Sequence, residues 1–129
     1  MLAVDTNVLI RALTGDDPSQ SPLAVAIIQE NAPVWISHLV LVETVWVLES
    51  VYDCGKPQLV KTLNRIIDNK DLMLEEPGVA RAALTLYQAK GRVTFEDCLI
   101  LETARKAGHL PLATFDKALG RFEGVHTVS

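Results

Sequence analysis

The sequence predicts an α/β fold. The expected form is a three-layer sandwich, with a central, mostly parallel sheet of four or five strands and helices on both faces. Three observations carry this. Short apolar runs of four or five residues recur along the chain. The stretches between them repeat their apolar residues at helical spacing. Strands and helices alternate instead of segregating, as βα crossovers in a parallel sheet demand. At 129 residues the chain is expected to be one domain spanning 1–129, with no internal linker, repeat or low-complexity segment.

The elements follow in order. Leu2-Ala3-Val4-Asp5 is an apolar run ending in a carboxylate and reads as a buried strand. Asn7 is placed to cap a helix over Val8, Leu9, Ala12 and Leu13, which Gly15-Asp16-Asp17-Pro18 breaks. Ser21-Pro22 starts a helix to about Glu30, with a capping hydroxyl and a proline in the first turn. Val34-Trp35-Ile36 is the second strand, and Ser37 or His38 opens a long helix to about Tyr52, stopped by Gly55. Pro57 begins another helix, with Leu59, Leu63, Ile66 and Ile67 on one face. Asp71-Leu72-Met73-Leu74 is the third strand, and Pro77 to Lys90 is helical with Ala80, Ala83, Leu84 and Tyr87 inward. A helix from about Glu96 to Ala107 closes at Gly108, and Leu110 to Thr114 is the fourth strand. A short helical segment follows Asp116, and Val125 to Val128 is a possible fifth strand.

Composition excludes several classes. Hydrophobic residues make up 49%, too many for a disordered chain. The richest stretch, Leu39 to Tyr52, is too short for a membrane span and contains Glu43 and Glu49. Met1 to Asp5 lacks a signal peptide's basic region and cleavage site. Cys54 and Cys98 make neither a disulfide scaffold nor a metal-binding pair, and read as small core residues. The expected location is cytoplasmic. Twelve Lys and Arg against 16 Asp and Glu leave a net charge of −4, which argues against broad electrostatic capture of nucleic acid.

Residues just beyond the strands of such a sheet line its functional crevice. Asp5 and Asp116 each follow an apolar strand, where an aspartate can also be a turn or capping residue. Glu43 is the oddest acid, because its helical neighbours Leu39, Val40, Trp46 and Val47 are all apolar. A carboxylate on a buried face needs a metal or a partner, so Glu43 is either a ligand or a member of a salt bridge or groove edge. Asp97 lies in the first turn of its helix, where the dipole alone favours an acid. Its alignment with Leu101, Ala104 and Gly108 turns it inward, whereas Glu96 aligns with Thr103 and Lys106 toward solvent.

Four carboxylates converging on one crevice remain ionised together only with cations between them. All-oxygen donors suit Mg²⁺ or Mn²⁺ over zinc. His38, His109 and His126 show no ligand spacing. Acids holding such a metal are apparatus for phosphodiester hydrolysis, because the metal activates a water and offsets charge on the phosphate.

Asp5-Thr6-Asn7, Glu43, Asp97 and Thr114-Phe115-Asp116, in this order and spacing, resemble the PIN-domain nucleases. The length is similar to that of the VapC-type toxins of bacterial and archaeal toxin–antitoxin pairs, and the resemblance covers the whole chain. It implies a PIN-like sandwich and a Mg²⁺- or Mn²⁺-dependent ribonuclease. Asp5, Glu43, Asp97 and Asp116 would be its catalytic, metal-binding acids, with Asn7 and Thr114 in support. It further implies an RNA substrate, a homodimer, and a small antitoxin protein laying a segment across the acidic groove, with no membrane partner. Glu96 beside Asp97 departs from the pattern and leaves open whether it joins the acidic site. Arg11, Lys117 and Arg121 are either phosphate contacts at the rim or solvated surface charges. Leu39, Val42 and Trp46 are either core or an interface.

Three other classes share parts of this pattern. A catalytically silent PIN-like binding module would keep the fold without the metal. A phospho-receiver domain would need an acidic pair after the first strand and a lysine after the fifth, and neither is present. A haloacid-type hydrolase would need an aspartate where Asn7 stands. Without the four proposed ligands, 12 acids balance 12 bases, so the net charge of −4 can be local to one metal-binding pocket.

Overall fold

The computed structural model describes residues 1–89 and 91–129. Among these the chain runs α1 (Thr6–Thr14), α2 (Gln20–Asn31), β1 (Val34–Ile36), α3 (His38–Ser50), α4 (Lys56–Asp68), β2 (Leu72–Leu74), α5 (Pro77–Gln88), α6 (Phe95–Ala107), β3 (Leu112–Thr114), a 3-10 turn (Leu119–Arg121) and β4 (Val125–Thr127). The α/β alternation is present. Lys90, the expected end of the fifth helix, lies outside the described residues.

The sheet differs from expectation. Four short strands form two parallel pairs, β1 with β2 and β3 with β4, among the described residues. The expected first strand, Leu2 to Asp5, is reduced to a parallel bridge between Ala3 and Trp35. Its ladder consists of Trp35 N–H donating to Leu2 C=O at 2.8 Å and Val4 N–H to Trp35 C=O at 3.3 Å. Only Val4 of that run is buried, so the segment lacks the second buried side chain that would anchor a longer strand.

The chain divides into two compact units, Met1–Pro77 and Gly78–Ser129. In the first, Val34, Ile36, Leu72 and Leu74 alternate inward from β1 and β2. They share a core with Leu9, Ile28, Leu41, Val45, Leu59 and Leu63. The helix boundaries have local causes. Ser37 Oγ accepts from Val40 N–H at 3.1 Å and starts α3, while Pro57 sits in the first turn of α4. Gly15 stops α1 in the left-handed conformation that glycine adopts at little cost.

The second unit is built on α5 and α6, which bury Val79, Ala83, Leu84, Cys98, Leu99 and Leu101. Tyr87 and Phe95 meet edge to face, with ring centres 6.1 Å apart. Arg105 ties α6 to the β4 turn: Nε lies 3.0 Å from the buried Glu102 carboxylate, and Nη2 donates to Glu123 C=O at 2.7 Å. Gly124 C=O in turn accepts from Leu112 N–H at 2.8 Å, so the clamp and β3 share one turn.

Candidate active site

Asp5 ends the Ala3–Val4 segment in extended backbone, and its Oδ1 accepts from Val8 N–H at 3.0 Å. It is therefore the cap of α1, and Asn7 is not. The cap must precede the first helical residue, and Asn7 already lies within the first turn. Asn7 is exposed and lines a groove of about 260 Å³ with Val8, Arg11, Gln20, Leu23 and Ile27.

Asp116 repeats the device in the second unit. Its Oδ1 accepts from Ala118 N–H at 2.8 Å and Leu119 N–H at 3.3 Å. Its own N–H donates to Thr114 Oγ1 at 3.0 Å, so Thr114 fixes the turn that presents the carboxylate. Asp5 and Asp116 are both exposed, and each leaves Oδ2 without a protein partner among the described residues.

Glu43 is not on a buried face. Leu41, Thr44, Val45 and Leu48 are the buried side chains of α3, while Glu43 is exposed between Leu39 (76% exposed) and Trp46 (61% exposed). The helix is apolar nearly all round, so apolar neighbours at i−4 and i+3 did not identify its inner side.

Asp97 is half-buried in the first turn of α6, where its N–H donates to Thr94 Oγ1 at 3.1 Å. Leu101, one turn on, is fully buried, in keeping with an inward orientation. Glu96 is also half-buried rather than solvated, so exposure does not separate the two. The first unit thus carries Asp5 and Glu43, and the second carries Asp97 and Asp116. No group of three or more His, Cys, Asp or Glu side chains is gathered for a metal among the described residues.

Asp5 and Asp116 each hold one oxygen free on a pinned carboxylate, and carboxylate oxygen is the donor that a hard divalent cation takes. Of the proposed rim cations, Arg11 is engaged by Gln20 Oε1 at 2.8 Å and by Asp16 at 3.6 Å. Lys117 and Arg121 are exposed and make no ion pair among the described residues. Sequence reasoning missed the Glu102–Arg105 clamp, whose only signal was an acid three residues before a base on one helix.

Asp5 and Asp116 follow the Ala3–Val4 bridge and β3 of an α/β fold, and the PIN domain profile matches residues 2–125. The chain belongs to the PIN domain family. It is also 25% identical over 132 residues to a VapC ribonuclease from Aquifex aeolicus (strain VF5), covering 100% of this chain and 96% of that protein. No helix among the described residues is long and apolar enough to cross a membrane.

Proposed function

We propose that this chain is a metal-dependent endoribonuclease, the toxin of a toxin–antitoxin pair, acting as a single PIN-like domain over residues 1–129. The family match across residues 2–125 supports the reading, because it includes all four candidate acids. The VapC ribonuclease relative supports the substrate class and the toxin role. The same reading assigns a homodimer and a partner antitoxin with a basic segment.

Asp5, Glu43, Asp97 and Asp116 would hold Mg²⁺ or Mn²⁺. When bound, such a metal lowers the pKa of a water and offsets charge on the scissile phosphate. The chain's own contribution is placement. Val8 N–H fixes the Asp5 carboxylate, and Ala118 and Leu119 N–H fix that of Asp116. In each case Oδ2 is left to accept a hydrogen from water or to face a cation. Hydrolysis joins the water oxygen to phosphorus and breaks one bridging P–O bond; an ionised carboxylate can accept the proton that water gives up, and the leaving ribose oxygen takes a proton from solvent.

The test is cleavage of single-stranded RNA by purified protein. Mg²⁺ or Mn²⁺ should support it and EDTA should abolish it. Unchanged cleavage by Asp5→Asn or Asp97→Asn would overturn the site assignment. No heat of Mn²⁺ binding in calorimetry, together with no cleavage, would favour the silent binding module.

A further inference from the structure

The chain has three phenylalanines, and they differ sharply in environment. Phe95 is buried against Tyr87, and Phe122 is half-buried. Phe115 is 80% exposed. A large aromatic left in water forgoes the burial that normally holds it in a core.

The backbone on either side of Phe115 is fixed. Thr114 is paired with Thr127 in the β3–β4 ladder, and its C=O accepts from Val128 N–H at 2.7 Å. Asp116 is held by Thr114 Oγ1, by two backbone N–H groups on its carboxylate, and by Gly120 N–H on its C=O at 3.0 Å. The ring is thus carried into solvent on a rigid turn. Lys117, the next residue but one, is exposed and makes no ion pair among the described residues. An aromatic face, a carboxylate with a free oxygen and a free ammonium follow each other within three residues.

We propose that Phe115 is a base-stacking residue: its ring receives a base of single-stranded RNA beside the nucleotide whose phosphate approaches Asp116, with Lys117 on the neighbouring phosphate. The inference rests on the ribonuclease reading above. A ring on a fixed turn loses little conformational freedom on binding. Stacking accepts any base, because every base has a π-face. Phe115 therefore sets affinity and strand state, with little choice of sequence. Paired RNA keeps its bases stacked inside the helix and offers none to the ring.

The experiment compares the protein with Phe115→Ala and Phe115→Trp in two arms. The first measures steady-state cleavage of a short single-stranded RNA with Mn²⁺. Phe115→Ala is expected to raise KM roughly tenfold, as loss of one base stack does, with a much smaller change in kcat. Phe115→Trp should keep KM near the parent value. The second arm measures binding of the same RNA in EDTA by fluorescence anisotropy, against RNA carrying one abasic ribose in each position in turn. One abasic position should weaken binding to the parent and leave binding to Phe115→Ala unchanged, a coupling that a merely structural role would not produce.

An unchanged KM for Phe115→Ala, or no abasic position coupled to it, overturns the proposal and leaves Phe115 as a protein-contact residue. Absence of cleavage with intact abasic coupling removes the ribonuclease reading but keeps the stacking site. Absence of both cleavage with Mn²⁺ and RNA binding by the parent removes both.

Discussion

Tyr52 donates its phenolic hydrogen to Oδ2 of Asp16 at 2.9 Å, joining the end of α3 to the turn after α1 across 36 residues of sequence. The other oxygen of the same carboxylate accepts from Thr14 Oγ1 at 2.7 Å, and Arg11 lies 3.6 Å away. The Thr14 and Tyr52 hydroxyls, in that order, hold the Asp16 carboxyl below the ordinary aspartate pKa.

The sign of the resulting pH dependence is fixed. A carboxyl whose folded-state pKa is depressed stabilises the fold above its unfolded value. That contribution disappears as pH falls through the folded value. Asp16→Asn should therefore lower the melting temperature at neutral pH, and the gap from the parent should close as pH falls below about 4. Thermal melts across the acid range check this. A gap that persists unchanged at the acid end would show that the ionised form is not what matters.

Asp5 separates folding from chemistry. Asparagine caps helices about as well as aspartate, whereas alanine costs about 1 kcal/mol. Asp5→Asn should keep the melting temperature while Asp5→Ala lowers it by several degrees, and both should lose RNA cleavage. Thermal melts beside a cleavage assay give the comparison.

The Glu102–Arg105 pair predicts a stability effect away from any proposed ligand. Glu102 is buried, but the Arg105 side chain is 36% exposed, which screens the pair. Glu102→Ala leaves Arg105 without its carboxylate and should cost about 1–2 kcal/mol. Arg105→Met also cuts the bond to Glu123 C=O, so it should loosen the β4 turn. Hydrogen exchange of the Leu112 amide, bonded to Gly124, reports on that turn.

Gly120 makes a further prediction. A Cβ there would collide with Thr127 Oγ1 and come within 3.4 Å of Thr127 Cβ. Gly120→Ala should destabilise the second unit by about 1–3 kcal/mol. Removing the hydroxyl with Thr127→Ala should recover most of that loss in the double variant. A simple sum of the two single effects would refute the clash.

Much of the helical architecture was legible because its signals are local. The proline in the first turn of α4, Ser37 before α3 and Gly108 after α6 stand where a cap or stop must stand. The strands were legible in place but not in extent, since Leu2 to Asp5 has strand composition and only one buried side chain. For the site, Asp5 and Asp116 could be read from their position after apolar runs. The inner face of α3 could not be read, because a helix with Leu39, Val40, Val42, Val45 and Trp46 around it has no polar stripe to mark the outside. Glu96 and Asp97 could not be ranked either, as both occupy the first turn of α6.

The capping bonds of Asp5 and Asp116 also bear on how such a chain loses its activity over generations. Asparagine preserves the cap of an aspartate and differs from it by a single nucleotide in the codon. At either position one base change removes a negative charge and leaves the helix or turn its hydrogen bond. If these carboxylates carry the chemistry, the gene is one point mutation from encoding a folded, silent protein. Such a product would keep the fold and would offer a partner the same surface less one negative charge.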